Sequence, residues 1–192
     1  MLNKINNISF HSQGNIENLA FAYEIAKTFK IKDAIIADAI NQYKGLPHRQ
    51  EIVFSNKKVI CINDSKATSF EASLQSLSNY KKIYWIVGGL PKIGDKFNLG
   101  NVLKNIEKIY VIGNNTNFFI KKIGKKIPYK ISYSLKNAIK NIFRDIEKNK
   151  KNNSTILLSP AAASYDQFEN FEDRGNTFKV IVKKEVKKFF HV

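Results

Sequence analysis

After Pro47 the chain alternates short apolar runs with segments of helical periodicity, and that alternation admits few folds. Strands are expected at Glu51–Phe54, Val59–Asn63, Ile83–Val87, Ile109–Ile112, Tyr129–Ser132 and Thr155–Leu158. Helices are expected between them, at Phe70–Asn79, Val102–Ile106 and Asn117–Ile123, and from a cap at Ser134 through Leu135, Ile139, Ile142 and Ile146. A closing helix is expected from Asp166 to about Phe189, with Phe168, Phe171, Phe178, Val182 and Val186 near one face. Strands that alternate with helices form a mostly parallel sheet covered on both faces. The fold class is therefore α/β and Rossmann-like, with ligands expected at the carboxyl ends of the strands.

The first 46 residues read differently. Asn15–Phe29 carries Leu19, Tyr23, Ala26 and Phe29 at three- and four-residue spacing. Asp33 is placed to cap a second helix through Ile36, Ile40 and Tyr43, and Gly45-Leu-Pro47 ends it. The expected division is a helical segment 1–46 and an α/β domain 47–192.

Three stretches follow expected strands and converge on one sheet edge. Asn63-Asp-Ser-Lys-Ala-Thr68 offers a carboxylate, an ammonium and two hydroxyls. Asp64 can accept from a ribose hydroxyl or orient a metal-bound water, and Lys66 can neutralise a phosphate. Ser65 or Thr68 can equally serve only as a helix cap. Gly88-Gly-Leu-Pro-Lys92 places a lysine beside glycines that allow close approach to the backbone, or is simply a tight turn. Ser159-Pro-Ala-Ala-Ala-Ser164 leads into the closing helix, whose N–H groups at Asp166 would suit a carboxylate or phosphate. Arg49, at the segment junction, can reach a phosphate, stack on adenine or remain a surface residue. His48 reads as a packing residue there, and His11 and His191 lie near the termini.

A formal net charge of +16 raises the possibility of a polyanion partner. The basic residues are mostly lysine and scattered, and Lys, Asn and Ile share A/T-rich codons, so a solvated lysine-rich surface accounts for the charge. Cys61 is the only cysteine, which precludes an intrachain disulfide and fits a cytoplasmic location. MLNKINNISFHSQ has no apolar signal region, and no run suits a membrane helix. The sequence has no G-x-x-x-x-G-K-[ST] loop, zinc-type Cys–His cluster or G-x-S-x-G elbow. Neither a metal ligand set nor a catalytic residue is assigned within it.

The stretches GLPHR (Gly45–Arg49), NDSKAT (Asn63–Thr68), GGLPK (Gly88–Lys92) and LLSPAAASYDQFENFEDRG (Leu157–Gly175) together resemble the Mur ligase family, in its D-glutamate-adding branch. The resemblance runs from about Gly14 through the closing helix. It implies the C-terminal Rossmann-like domain of a cytoplasmic ATP-dependent ligase of peptidoglycan synthesis, preceded by the tail of the central ATP-binding domain. The complete enzyme would join D-glutamate to UDP-N-acetylmuramoyl-L-alanine using ATP and Mg2+. Thr68, Lys92, Ser164 and the backbone at Tyr165 and Phe171 match the D-glutamate pocket. Asn15, Asn18, Arg49, Asp64 and Lys66 match positions around the nucleotide. Gly14 stands where the family has histidine, and Ser69 where it commonly has asparagine. The phosphate loop, the carbamylated lysine, the magnesium ligands and the UDP site would all lie upstream of Met1. The isolated chain is thus expected not to ligate, and to need a missing portion or a complementing chain. Rival readings are a non-catalytic D-glutamate and nucleotide module and a basic polyanion-binding protein; neither nucleic acid nor membrane is expected as a partner.

Overall fold

A computed structural model of the chain describes residue 7 and residues 13–123, 127–150 and 152–190, so His11 and His191 lie outside the described residues. The chain divides into two compact units, Met1–Gly45 and Leu46–Val192.

The first unit holds α1 (Gln13–Thr28) and α2 (Asp33–Gln42). Leu19, Ile36 and Ile40 are buried together, with Tyr23 and Ala26 packed against them. The expected four-residue stripe loses its last member, because α1 ends at Thr28 and leaves Phe29 exposed beyond it. Asp33 does not cap α2. The cap position is Lys32, without a side-chain bond, while the Asp33 carboxylate pairs with Lys27 at 2.8 Å. An ammonium within reach competes for the carboxylate that a cap would need.

The second unit is a six-stranded sheet. Its strands are β1 (Glu51–Ser55), β2 (Val59–Asn63), β3 (Ile83–Gly88), β4 (Ile106–Ile112), β5 (Tyr129–Tyr133) and β6 (Ser154–Leu158). Their spatial order is β1-β2-β6-β3-β4-β5. Only β1 runs antiparallel to its neighbour; the other four pairings are parallel. All five parallel strands therefore end on one edge. β3 and β6 are buried at every position, as continuous apolar runs in a two-sided parallel sheet should be.

The helices are α3 (Phe70–Asn79), α4 (Thr116–Ile123), α5 (Leu135–Lys148) and α6 (Phe171–Phe190). One face of the sheet packs on α5 and α6 through Ile139, Ile142, Phe178 and Val182. The opposite face packs on α3 and α4 through Phe70, Leu77 and Phe119, around Trp85. Ser134 caps α5 as expected, accepting from Asn137 N–H at 3.2 Å. The segment expected as a helix near Val102 is a 3-10 turn, Gly100–Asn105. Among the described residues no helix is long and apolar enough to cross a membrane.

The closing helix starts five residues later than expected. Residues 164–167 form a turn closed by the N–H groups of Gln167 and Phe168 on the Ser164 carbonyl. Asp166 is spent elsewhere, accepting from Asn114 N–H at 3.1 Å. Asn170 caps α6 instead, accepting from Asp173 N–H at 2.7 Å. Glu172 and Asp173 fill the first turn. The first turn of α6 thus carries negative groups from its own sequence, and its N-terminus lies at Phe171 rather than at Asp166.

Candidate functional site

The ends of β2, β3 and β6 are joined into one edge by their own backbone. Asp64 N–H donates to Leu158 C=O at 2.8 Å, and Gly88 N–H to Pro160 C=O at 2.9 Å. Leu90 and Ala163 form an antiparallel bridge just beyond the strands. Polar side chains lock the same edge from below: Trp85 Nε1 and Ser73 Oγ both donate to the Ser159 carbonyl, at 2.7 and 3.2 Å.

Asp64 sits at this junction, 6% exposed. Its Oδ2 accepts from Ser76 Oγ at 2.6 Å and Ser159 Oγ at 2.9 Å, and its Oδ1 from Gln50 N–H at 3.3 Å. Burial pushes its carboxyl up to about 6, against those donors and the Arg49 guanidinium. The carboxylate expected to face a ribose or a metal-bound water instead ties the Arg49 turn to β6. Helix capping falls to neither Ser65 nor Thr68: Ser69 caps α3, accepting from Ala72 N–H at 3.3 Å.

This burial has a pH signature. The native state takes up the Asp64 proton near pH 6, whereas an unfolded aspartate does so near pH 3.9. Between those values the native state binds more protons, so lowering the pH adds stability, and above pH 6 the full burial cost is present. Asp64→Asn is therefore expected to stabilise the domain at pH 8 by on the order of 2 kcal/mol. That gain should vanish near pH 4. Urea unfolding of both proteins at pH 8, 6 and 4.5 checks it; a pH-independent difference would contradict the assignment.

Arg49 itself is exposed, between His48 and Gln50, which both have positive φ, at 62° and 48°. Two carboxylates hold this strained turn: Glu51 Oε2 accepts from His48 N–H at 3.0 Å, and Asp64 accepts from Gln50 N–H. Burial raises the Glu51 carboxyl, but the donors His48 N–H, Lys179 and Asn63 outweigh it and leave the group below its ordinary value. Burial lowers the His48 imidazole, aided by Lys179, so it packs as the neutral ring. Asn63 Nδ2 lies 3.0 Å from His48 Nδ1, and the imidazole meets Phe171 edge-on at 5.9 Å.

The ammonium of Lys66 rests 3.8 Å from the centre of the Phe171 ring, a cation–π contact that joins the β2 turn to the start of α6. Thr68 and Tyr165 are exposed, Phe171 is half-buried, and Ser164 is buried within its turn. Lys92 is exposed on the loop after Leu90. Asn115 from the β4 end reaches the same edge, donating to Gly89 C=O at 3.1 Å. The structure thus gathers Asp64, Lys66, Ser164 and Phe171 around the joined strand ends, with Thr68 and Lys92 on the adjoining turns. Asn15 and Asn18 belong to α1 of the other unit.

Sequence reasoning passed over a buried cation of the edge. Arg174 is wholly buried. Its Nε donates to Ser65 Oγ at 2.9 Å, one terminal nitrogen to Ser65 C=O at 2.8 Å and the other to Ala162 C=O at 3.0 Å. Ser65 Oγ in turn donates to Phe171 C=O at 2.8 Å. One signal was available: in a chain whose cations are almost all lysine, only three arginines occur, and two of them stand at this edge.

The chain matches no protein-family model. It is 40% identical to the UDP-N-acetylmuramoylalanine–D-glutamate ligase of Wolbachia sp. subsp. Brugia malayi (strain TRS) over 164 residues, 85% of this chain and 33% of that protein. It is 38% identical to the same-named ligase of Phenylobacterium zucineum (strain HLK1) over 177 residues, 92% of this chain and 37% of the relative. The chain therefore spans about a third of the length of these relatives. Among solved structures, the UDP-N-acetylmuramate–alanine ligase MurC of Thermotoga maritima superimposes with a TM-score of 0.60 at 14% identity, over 91% of this chain and 39% of that one. MurF of Acinetobacter baumannii gives 0.61 at 16%, over 88% and 38%. At such identities these two speak for the fold alone.

Proposed function

Since this chain belongs to the Mur ligase family, we propose that it is the amino-acid-binding, C-terminal portion of a cytoplasmic ligase that adds D-glutamate to UDP-N-acetylmuramoyl-L-alanine in peptidoglycan synthesis. Residues 47–192 hold D-glutamate through Lys92, Thr68, Ser164 and the backbone at Tyr165 and Phe171. Arg49 and Lys66, with Asp64 behind them, serve the ATP side in this unit, and Asn15 and Asn18 of α1 are nucleotide residues of the first unit. Residues 1–46 belong to the central ATP-binding domain.

The observation that carries this reading is the joined sheet edge: three strand ends bring hydroxyls, ammonium groups and a braced arginine to one place. In the complete reaction ATP phosphorylates the alanyl carboxylate, and the amine of D-glutamate attacks the acyl phosphate and displaces phosphate. This chain's share is positional. Holding the amino acid by its carboxylates leaves the amine to be aimed at the acyl carbon, which converts an encounter into an oriented step. No magnesium site is assigned to the described residues. They contain no group of three or more acidic, cysteine or histidine side chains able to hold a metal ion, and both Asp64 oxygens already accept from the protein. The ion belongs to the part of the ligase this chain does not span.

The test is reconstitution. The purified chain alone is expected to release no phosphate from ATP with D-glutamate and UDP-N-acetylmuramoyl-L-alanine. Mixed with the separately produced N-terminal two thirds of the Wolbachia relative, it is expected to restore D-glutamate-dependent phosphate release. Turnover by the chain alone would contradict the proposed division of labour. Failure to restore turnover in a complex that demonstrably forms would favour a non-catalytic binding module.

A further inference from the structure

Arg174 carries a consequence for ligand choice. Its three bonds go to the backbone or hydroxyl of Ser65 and Ala162, that is, to the two turns that bear Lys66, Thr68 and Ser164. All three acceptors are neutral. Among the described residues no carboxylate pairs with it, and burial lowers the guanidinium only to about 10, so it stays charged at neutral pH. The acidic group that acts on it is Asp166, whose own Oδ2 is engaged by Asn114 N–H. A buried cation without a paired anion is costly to keep, and neutral donors could satisfy these carbonyls at less cost.

We propose that Arg174 is a specificity-determining positioning residue. Its charge, paired with no carboxylate and fixed to the backbone of both ligand-bearing turns, makes the site prefer an amino acid with two carboxylates over one with a single carboxylate. The inference rests on the ligase reading and adds to it what selects the dicarboxylate. A buried charge acts on a ligand without touching it, since the protein interior between them screens less than water. Asp166 partly offsets that charge, so the two residues should act with opposite signs.

The experiment is calorimetry of the full chain with D-glutamate and with its neutral-side-chain isostere D-glutamine. Arg174→Met is expected to lower the glutamate-over-glutamine preference roughly ten-fold. Arg174→Lys, which keeps the charge but not the fork, should weaken both ligands and retain the preference. Asp166→Asn keeps an acceptor for Asn114 N–H and should raise the preference about two- to three-fold. A merely structural role for Arg174 would weaken both ligands alike. If Arg174→Met does not fold, Asp166→Asn decides alone. An unchanged preference in Asp166→Asn, or in a folded Arg174→Met, overturns the proposal and leaves the ligase reading standing. A wild-type chain that binds no D-glutamate contradicts that reading itself.

Discussion

Gly88→Ala is expected to cost at least about 4 kcal/mol of stability. Gly88 ends β3 with φ at +135°, a conformation that side chains rarely adopt. It is register partner to Ile112 of the adjacent parallel strand β4. A Cβ built there overlaps the Ile112 carbonyl oxygen and crowds its carbonyl carbon and nitrogen. Neither strand can retreat: β3 lies between β6 and β4, and Gly88 N–H is committed to Pro160 C=O. The methyl group therefore parts the sheet where the candidate site is joined. A melting temperature lower by roughly 10 °C or more is expected. Gly94→Ala is the control, with φ at +81° but nothing within 4 Å of the new methyl group. It should cost only about 1 kcal/mol, the local backbone price. Equal losses at the two positions would mean that backbone conformation, not the β3–β4 approach, sets the effect.

Lys92→Ala is expected to do the reverse, leaving the fold intact and removing ligand binding. Lys92 is exposed on a loop whose base is fixed by the Leu90–Ala163 bridge, and its carbonyl accepts from Asp95 N–H at 3.2 Å. The loop's shape thus depends on Lys92 only through its main chain, which alanine keeps. The ammonium would supply a charge-assisted bond to a ligand carboxylate, and its loss should weaken D-glutamate binding roughly 100-fold. Calorimetry beside a thermal melt separates the effects: affinity should fall while the melting temperature stays put. Undiminished affinity would remove Lys92 from the pocket.

The strands and α5 were legible because their signals are local. A buried parallel strand is an apolar run, and Ser134 needs only the N–H three residues on to act as a cap. What sequence could not give was the destination of polar side chains that bond far along the chain. Asp166 looks like the opening of a helix until Asn114, 52 positions away, claims its oxygen. Asp64 looks like a free carboxylate until Ser76 and Ser159, 12 and 95 positions away, engage one of its oxygens. Asp33 was lost nearer by, to Lys27 six positions earlier. Arg174 lies in the charged stretch Phe-Glu-Asp-Arg-Gly, which reads as a solvated helix start. Its burial appears only when Ser65, 109 positions earlier, folds onto it. The candidate site was legible as three turns on one edge, and the wiring beneath them was not.

The central claim is that this edge is an amino-acid pocket with a chosen hand and charge. The most direct test is titration of the purified chain with D-glutamate and, separately, L-glutamate at about 0.15 M salt. Saturable binding of the D enantiomer, with the L enantiomer at least roughly ten-fold weaker, is the result the account predicts. Equal binding of both enantiomers, or heat that disappears as salt is raised, would reduce the edge to a cationic surface and contradict it.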